Sequence, residues 1–217
     1  MCGRYASTRT AGQLADWFDA EDDTGGSLTS ARELAPTDPV PIVRRGPRDD
    51  TRSVATVRWG LLPPWVPDRR AAARMINARA ETVRTTPAYR QPFARRRCLV
   101  PADGWFEWRR VPDRPKKLKY FLTSVDGSPL AFAGLYESGS ERHPPTCTVV
   151  TTAALGHLTE VHDRMPLLLA EGRWAEWLDC EGPATDDLLS PPDADLLDTI
   201  TLSPDEPTAG YLTPTLF

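Results

Sequence analysis

Histidine and cysteine are scarce in this chain, with three and four copies in 217 residues. The cysteines (Cys2, Cys98, Cys147 and Cys180) lie far apart and form no CxxC pair. This excludes a zinc ribbon or a thioredoxin-type motif and leaves free thiols in a reducing compartment as the expectation. Neither a metal nor an organic cofactor is implied. No apolar run reaches the ~18 residues of a membrane-spanning helix. The opening MCGRYASTRT lacks the apolar stretch of a signal peptide, so a cytoplasmic protein is expected. Linkers, low-complexity tracts and internal repeats are absent as well, and residues 1–217 read as one domain. Positive charge is almost missing from the second half. Residues 121–217 carry 3 Lys and Arg against 16 Asp and Glu, whereas residues 1–120 carry 23 against 14. Two readings follow: an anionic partner for the first half, or two halves that attract each other across a shared fold.

What is present is a succession of short strands. Residues 40–43, 53–59, 98–100, 105–108, 118–123, 130–136 and 146–152 are apolar or β-branched and bounded by Gly or Pro, as are residues 167–169. They predict an α+β, mainly β chain: a curved, chiefly antiparallel sheet or barrel with short peripheral helices. Helices are predicted over 10–20, where Leu14, Trp17 and Phe18 share a face, from Thr86-Pro87 to about Ala94, and over 154–161 and 173–178. Residues 60–67 are too proline-rich for a helix and form a rigid loop. Residues 21–30 read as a surface loop, and residues 181–217 as a peripheral acidic tail.

Five features carry chemistry. Cys2 follows the initiator Met, and removal of Met1 would leave an α-amine and a thiol on one residue. Their ordinary pKa values, about 7.7–8.0 and about 8.5, make both partly nucleophilic near neutrality. Such an aminothiol condenses with an aldehyde to a Schiff base, and the sulfur then closes a thiazolidine on the same carbon. The alternative is an accidental second-position Cys. In Asn77-Ala-Arg-Ala-Glu81, alternation puts Asn77, Arg79 and Glu81 on one face of an extended chain, where they either grip a phosphate and orient a carbonyl or simply meet water. Glu107, between Phe106 and Trp108, is a carboxylate in aromatic surroundings. It is either an acid–base group with a raised pKa or an outward-facing strand residue. His162 stands beside Arg164, as a proton carrier near an anion or an inert helix-end residue. Trp59 and Trp65 flank the proline-rich loop, where exposed rings can stack on bases, although at least four of the seven Trp are expected in the core.

Taken together, Met1-Cys-Gly-Arg4, Ala35-Pro-Thr37, Trp59-Gly-Leu61, Asn77-Ala-Arg-Ala-Glu-Thr82, Arg97-Cys-Leu-Val-Pro-Ala-Asp-Gly104 with Glu107-Trp108, and His162-Asp-Arg-Met-Pro166 resemble the SOS-response-associated peptidase family, also called abasic-site processing proteins. The resemblance runs from Met1 to about Leu169. Departures are aromatic swaps at Tyr5 and Trp105-Phe106, a basic Lys116–Lys119 segment, and a tail, Thr201–Phe217, that does not match the family's closing strand.

The resemblance implies a compact barrel-like domain that loses Met1, by autoproteolysis or otherwise, and crosslinks through Cys2 to abasic sites in single-stranded DNA. It implies an active-site group of Cys2, Asn77, Glu107 and His162. It places Arg4, Trp59, Arg79 and Arg164 facing the DNA, with Gly3, Pro36 and Thr151 in the same cleft. A monomer in the cytoplasm, associated with the nucleoid when bound to DNA, is the matching expectation. Two rivals are an N-terminal-nucleophile cysteine amidohydrolase and a non-covalent single-stranded-DNA-binding module.

Overall fold

The computed structural model describes residues 2–46, 51–112, 115–141, 143–182, 185–192 and 194–202. The chain opens with β1 (Tyr5–Ser7) and α1 (Ala11–Phe18), then β2 (Glu21–Asp22), β3 (Ala31–Leu34), β4 (Pro39–Arg45) and β5 (Arg52–Trp59). A 3-10 helix (Arg69–Arg74) leads into β6 (Asn77–Arg79) and α2 (Pro87–Arg95). Then come β7 (Arg97–Ala102), β8 (Gly104–Arg109), β9 (Leu118–Ser124), β10 (Leu130–Glu137) and β11 (Thr146–Ala153). Last are β12 (Arg164–Pro166), α3 (Trp174–Leu178) and β13 (Leu197–Leu202).

Local chemistry sets the helices. Thr10 Oγ1 accepts from the Gln13 N–H at 3.3 Å while Gln13 Oε1 accepts from the Thr10 N–H at 3.0 Å, a reciprocal cap for α1. That helix buries Leu14 and Phe18, leaves Trp17 exposed, and stops where Asp19 turns left-handed. Pro87 occupies the first turn of α2, where its missing N–H costs nothing.

The larger sheet runs β12-β11-β10-β7-β4-β5-β2, with β6 laid parallel against β11. It closes on itself: β5 also pairs with β11, in parallel, at Thr146–Arg58 and Cys147–Trp59. The circuit β5-β4-β7-β10-β11 is therefore a small barrel. Alternation along its strands supplies two apolar layers. Ile42, Cys98, Val100, Phe132, Cys147 and Val149 point to one side, with Cys2, Tyr5 and Trp59. Val43, Leu99, Ala133 and Val150 point to the other, under α1 and α3. A second sheet, β13-β9-β8-β1-β3, is reached through a single residue, Asp103, between β7 and β8. Asp103 Oδ2 accepts from the Thr8 N–H and hydroxyl at 2.7 Å each, and Arg9 pairs with Oδ1, which fixes the start of the chain against this crossing.

The mainly β, barrel-like expectation matches this architecture. Several boundaries differ. Residues 167–169 form no named strand; the strand is β12, three residues earlier, and Leu168 makes only an isolated bridge to Phe132. Residues 154–161 hold a 3-10 helix (Gly156–Glu160) rather than an α-helix. β1, β3 and β13 escape sequence patterning because they are short or polar. β13 pairs with β9 over six residues, so the segment after Glu181 supplies an edge strand; residues 203–217 of the tail lie outside the described residues. Among the described residues, no helix is long and apolar enough to cross a membrane.

Arg97 is a buried cation with no carboxylate bound to it among the described residues. Its guanidinium donates to the carbonyls of Trp177 at 2.5 Å, Phe93 at 2.9 Å and Asp179, tying α3 to β7. Arg97→Met is expected to strand these acceptors at about 1–3 kcal/mol each. A loss of about 3 kcal/mol lowers Tm by roughly 6–12 °C in a domain of this size. Calorimetry checks this, and an unchanged Tm would show that water replaces the guanidinium.

Candidate active site and nucleic-acid interface

Cys2 precedes β1, and β1 pairs antiparallel with β8 through Tyr5–Trp105 and Ala6–Gly104. The Phe106 N–H donates to Arg4 O at 2.9 Å, which continues the register. Two residues further, Gly3 falls opposite Glu107. Strand pairing thus carries a carboxylate to the residue that follows Cys2. Cys2 is fully buried. Asn77, on β6, donates from Nδ2 to the Cys2 carbonyl at 2.9 Å. The Tyr89 hydroxyl, from α2, donates to Asn77 O at 3.1 Å. Asn77 Oδ1 is buried and accepts no hydrogen bond among the described residues.

Burial pushes the Cys2 thiol well above its ordinary range, and the neighbouring Glu107 charge adds to the effect. Burial likewise raises the Glu107 carboxyl; the positive charge of His162 works against that rise, which places the imidazole within electrostatic reach. Glu107 is therefore held toward its protonated form. His162 follows the 3-10 helix Gly156–Glu160. Its Nδ1 accepts from the Arg164 N–H at 3.0 Å and lies 2.8 Å from Asp163 Oδ1. Nδ1 carries either a lone pair or a proton. The neutral ring accepts from Arg164 and keeps its proton on Nε2, while the imidazolium donates to Asp163. Direct bonding and mutual electrostatics thus join Cys2, Asn77, Glu107 and His162 into one group.

The expected DNA-facing residues divide. Arg79 is exposed at the end of β6, and its guanidinium makes no hydrogen bond among the described residues. Gly3, Arg4 and Pro36 are half-buried at the rim; Arg4 donates to Gly3 O at 2.8 Å and lies 3.7 Å from Glu33. Beside Pro36, Thr37 has φ +80°, unusual for a β-branched residue, and donates its N–H to Trp59 O at 2.8 Å.

Two of the expected residues are buried. Trp59 is fully buried, edge-on to Tyr5, with its indole N–H on Ile76 O at 3.0 Å, so its ring offers no face to a base. Thr151 is buried too, and its carbonyl accepts from Arg164 at 2.6 Å. Arg164 is itself engaged: Glu81 grips it through both carboxylate oxygens, at 2.5 and 3.0 Å. Trp65, in the proline-rich loop after β5, is instead exposed, at 58 % accessible. Four Trp (59, 105, 174 and 177) are buried. Sequence reasoning missed Glu81 as the partner of Arg164 and Tyr89 as the support of Asn77. Alternation exposed Glu81 as a candidate, but nothing local ties α2 to β6.

Both readings of the charge asymmetry have a counterpart. Arg45–Glu181 and Arg84–Asp186 link the halves, at 2.9 and 3.0 Å. Arg79 instead stands exposed beside the site. All four cysteines are free, and among the described residues no group of His, Cys, Asp or Glu is placed to hold a metal.

Comparison with known proteins agrees with this geometry. A family model described as SOS response associated peptidase (SRAP) matches residues 1–205. The abasic site processing protein YoaM of Bacillus subtilis is 35 % identical over 211 residues, covering 94 % of this chain and 91 % of its own. The abasic site processing protein YedK of Escherichia coli is 32 % identical over 193 residues, covering 82 % and 79 %. A crystal structure of a protein from Bacteroides thetaiotaomicron superposes with a TM-score of 0.80 at 25 % identity, covering 94 % of this chain and 93 % of that one. One from Bordetella bronchiseptica gives 0.77 at 28 % identity, covering 93 % and 100 %. With the family model matching residues 1–205 and relatives above 30 % identity over most of its length, the chain belongs to the SOS response associated peptidase family.

Proposed function

We propose that this protein senses abasic sites in single-stranded DNA and captures them covalently through Cys2, as a thiazolidine, once Met1 has been removed. The observation that carries this reading is the clamp on Cys2: its carbonyl is held by Asn77 while its thiol is buried beside Glu107. An aminothiol so fixed presents two nucleophiles to one electrophilic carbon, and such orientation is where the gain in effective molarity arises.

The order of attack follows from the electrostatics. Burial keeps the thiol protonated, so the α-amine acts first. It adds to C1′ of the ring-opened sugar, forming a carbinolamine. Glu107, held toward its acid form, donates a proton to the departing hydroxyl; water leaves, and the carboxylate takes back the iminium proton to give the Schiff base. The sulfur then adds to C1′ while its proton passes to the nitrogen. The sum is aldehyde plus aminothiol giving thiazolidine plus water. Asn77 Oδ1 offers an acceptor to the amine or to a sugar hydroxyl. His162, with Nε2–H in its neutral state, serves sugar ring opening. Arg79 meets the backbone phosphates at the rim, and the exposed Trp65 ring stacks on an unpaired base. Arg164 reaches the DNA only by leaving Glu81. Capture shields the lesion during the response to DNA damage.

The amidohydrolase rival requires a Cys2 thiolate. Burial disfavours it, so the site suits an aldehyde better than an amide. Intact mass of the purified protein, before and after an abasic oligonucleotide, tests the proposal. The expected result is a species without Met1 that gains the mass of the oligonucleotide less one water and survives a denaturing gel. A crosslink-competent protein that retains Met1 would overturn the role of the amine. Binding that disappears under denaturation would leave only a non-covalent module.

A further inference from the structure

We infer that Arg70 and Arg74 form a second contact with the nucleic-acid backbone, to the strand on one side of the lesion. This inference rests on the DNA capture proposed above, and it assigns a surface outside the residues already placed at the site.

The segment bearing these arginines is firmly held. Gly60 has φ +123°, and a Cβ there would lie 2.4 Å from Ala72 O. Only glycine allows the backbone after β5 to press directly against the 3-10 helix Arg69–Arg74. Ala72 is buried in that contact. At the front, Asp68 Oδ1 caps the helix by accepting from the Arg70 N–H at 2.9 Å. At the back, the Met75 N–H donates to Ala72 O at 2.9 Å, and Met75 O accepts from the Leu61 N–H at 3.0 Å. Ile76 O then takes the Trp59 indole N–H at 3.0 Å. The next residue is Asn77. The helix is thus a fixed ledge, continuous with the strand that clamps Cys2.

The charge on this ledge is one-sided. From Arg69 to Ala80 there are four arginines and no carboxylate, and Asp68 is occupied by the cap. Arg70 and Arg74 are exposed, and their side chains make no hydrogen bond or ion pair among the described residues. Elsewhere guanidinium groups find internal acids: Arg44 with Asp23, Arg96 with Glu137, Arg173 with Asp187. At about 2.0 Å rise per residue, the four residues from Arg70 to Arg74 advance ~8 Å. Exposed guanidinium groups on a rigid backbone, without internal acceptors, suit the phosphodiester oxygens of a strand leaving the site.

The test uses an oligonucleotide with a tetrahydrofuran abasic analogue, which carries no aldehyde, so that binding is non-covalent. Its affinity is measured from 50 to 200 mM salt for wild type, for Arg70→Ala/Arg74→Ala, and for Arg90→Ala/Arg95→Ala on α2 as a control of equal charge change. Losing two phosphate contacts on a single strand should flatten the slope of log affinity against log salt by about 1.4. The loss should appear with oligonucleotides extended on one side of the analogue and vanish with those extended on the other. An unchanged slope overturns the inference. So does an equal loss in the control, or an equal loss on both sides, since either marks bulk electrostatics. Capture of a natural abasic oligonucleotide by the same wild-type preparation is scored in parallel. Its failure would overturn the proposed function, while the slopes still decide whether Arg70 and Arg74 touch DNA.

Discussion

Cys2→Ser is expected to abolish the heat-stable adduct while leaving a Schiff base that borohydride can trap. Serine keeps the α-amine but replaces sulfur by a far weaker ring-closing group. Without reductant its adduct should hydrolyse, or proceed to strand cleavage by β-elimination, so that durable product falls to background. Because the position is fully buried in an apolar layer with Tyr5, Trp59 and Cys147, a serine hydroxyl there costs about 1–3 kcal/mol if it finds no partner. Cys2→Ala, which adds no polar atom, separates chemistry from folding: it should show the same trapping pattern. A variant without the thiol whose adduct matched wild type in durability, without reductant, would end the thiazolidine mechanism.

Glu107→Gln should slow adduct formation by about 10²–10⁴-fold, the usual range for loss of a positioned acid–base group, without making the product labile, since both nucleophiles remain. The pH dependence has a definite sign. Burial raises the Glu107 carboxyl above its ordinary value, so the acid form persists to higher pH than for an exposed glutamate. The wild-type rate should fall as pH rises through that raised value, and the Gln variant should lose this inflection. Stability moves the opposite way. A carboxyl that binds its proton more tightly folded than unfolded contributes stability that is present below its unfolded pKa, about 4.3. That contribution is lost as pH rises through the folded value. Glu107→Gln should therefore match wild type near pH 4 and melt higher at pH 8, where the buried charge is absent. Stopped-time gels and thermal melts over pH 4–9 check both halves. A rate ratio independent of pH, together with a lower melting temperature at pH 8, would remove Glu107 from the proton transfer.

Much of the strand layout was legible because β4, β5, β7, β9, β10 and β11 are short apolar or β-branched runs bounded by Gly or Pro; β7 is buried at every residue and β11 at all but its last. Legibility failed where length or polarity weakened the signal: β1 has three residues, β3 is Ala-Arg-Glu-Leu, and β13 is Leu-Asp-Thr-Ile-Thr-Leu set within an acidic tail. At the site, alternation in Asn77-Ala-Arg-Ala-Glu81 correctly set Ala78 and Ala80 inward. It could not say that Glu81 would close on Arg164, a pairing over 83 residues of chain. Trp59 shows the converse. Its setting beside a proline-rich loop in the basic half suggested a stacking platform, yet the β5–β11 pairing that closes the barrel turns its ring into the core.

The sequence by itself determined the chemistry on offer: an aminothiol latent at Cys2, a carboxylate among aromatics at Glu107, an imidazole at His162, and arginines crowded into the first half. These are properties of residue types and near neighbours, and they need no fold to be stated. Only the tertiary structure decided which of them meet. The β1–β8 register brings Glu107 opposite Gly3, the parallel β6–β11 pair delivers Asn77 to the Cys2 carbonyl, and barrel closure buries the thiol. The physical reason is that strand pairing acts between segments remote in sequence. Its register, and the desolvation that shifts Cys2 and Glu107 together, exist only once the sheets have formed.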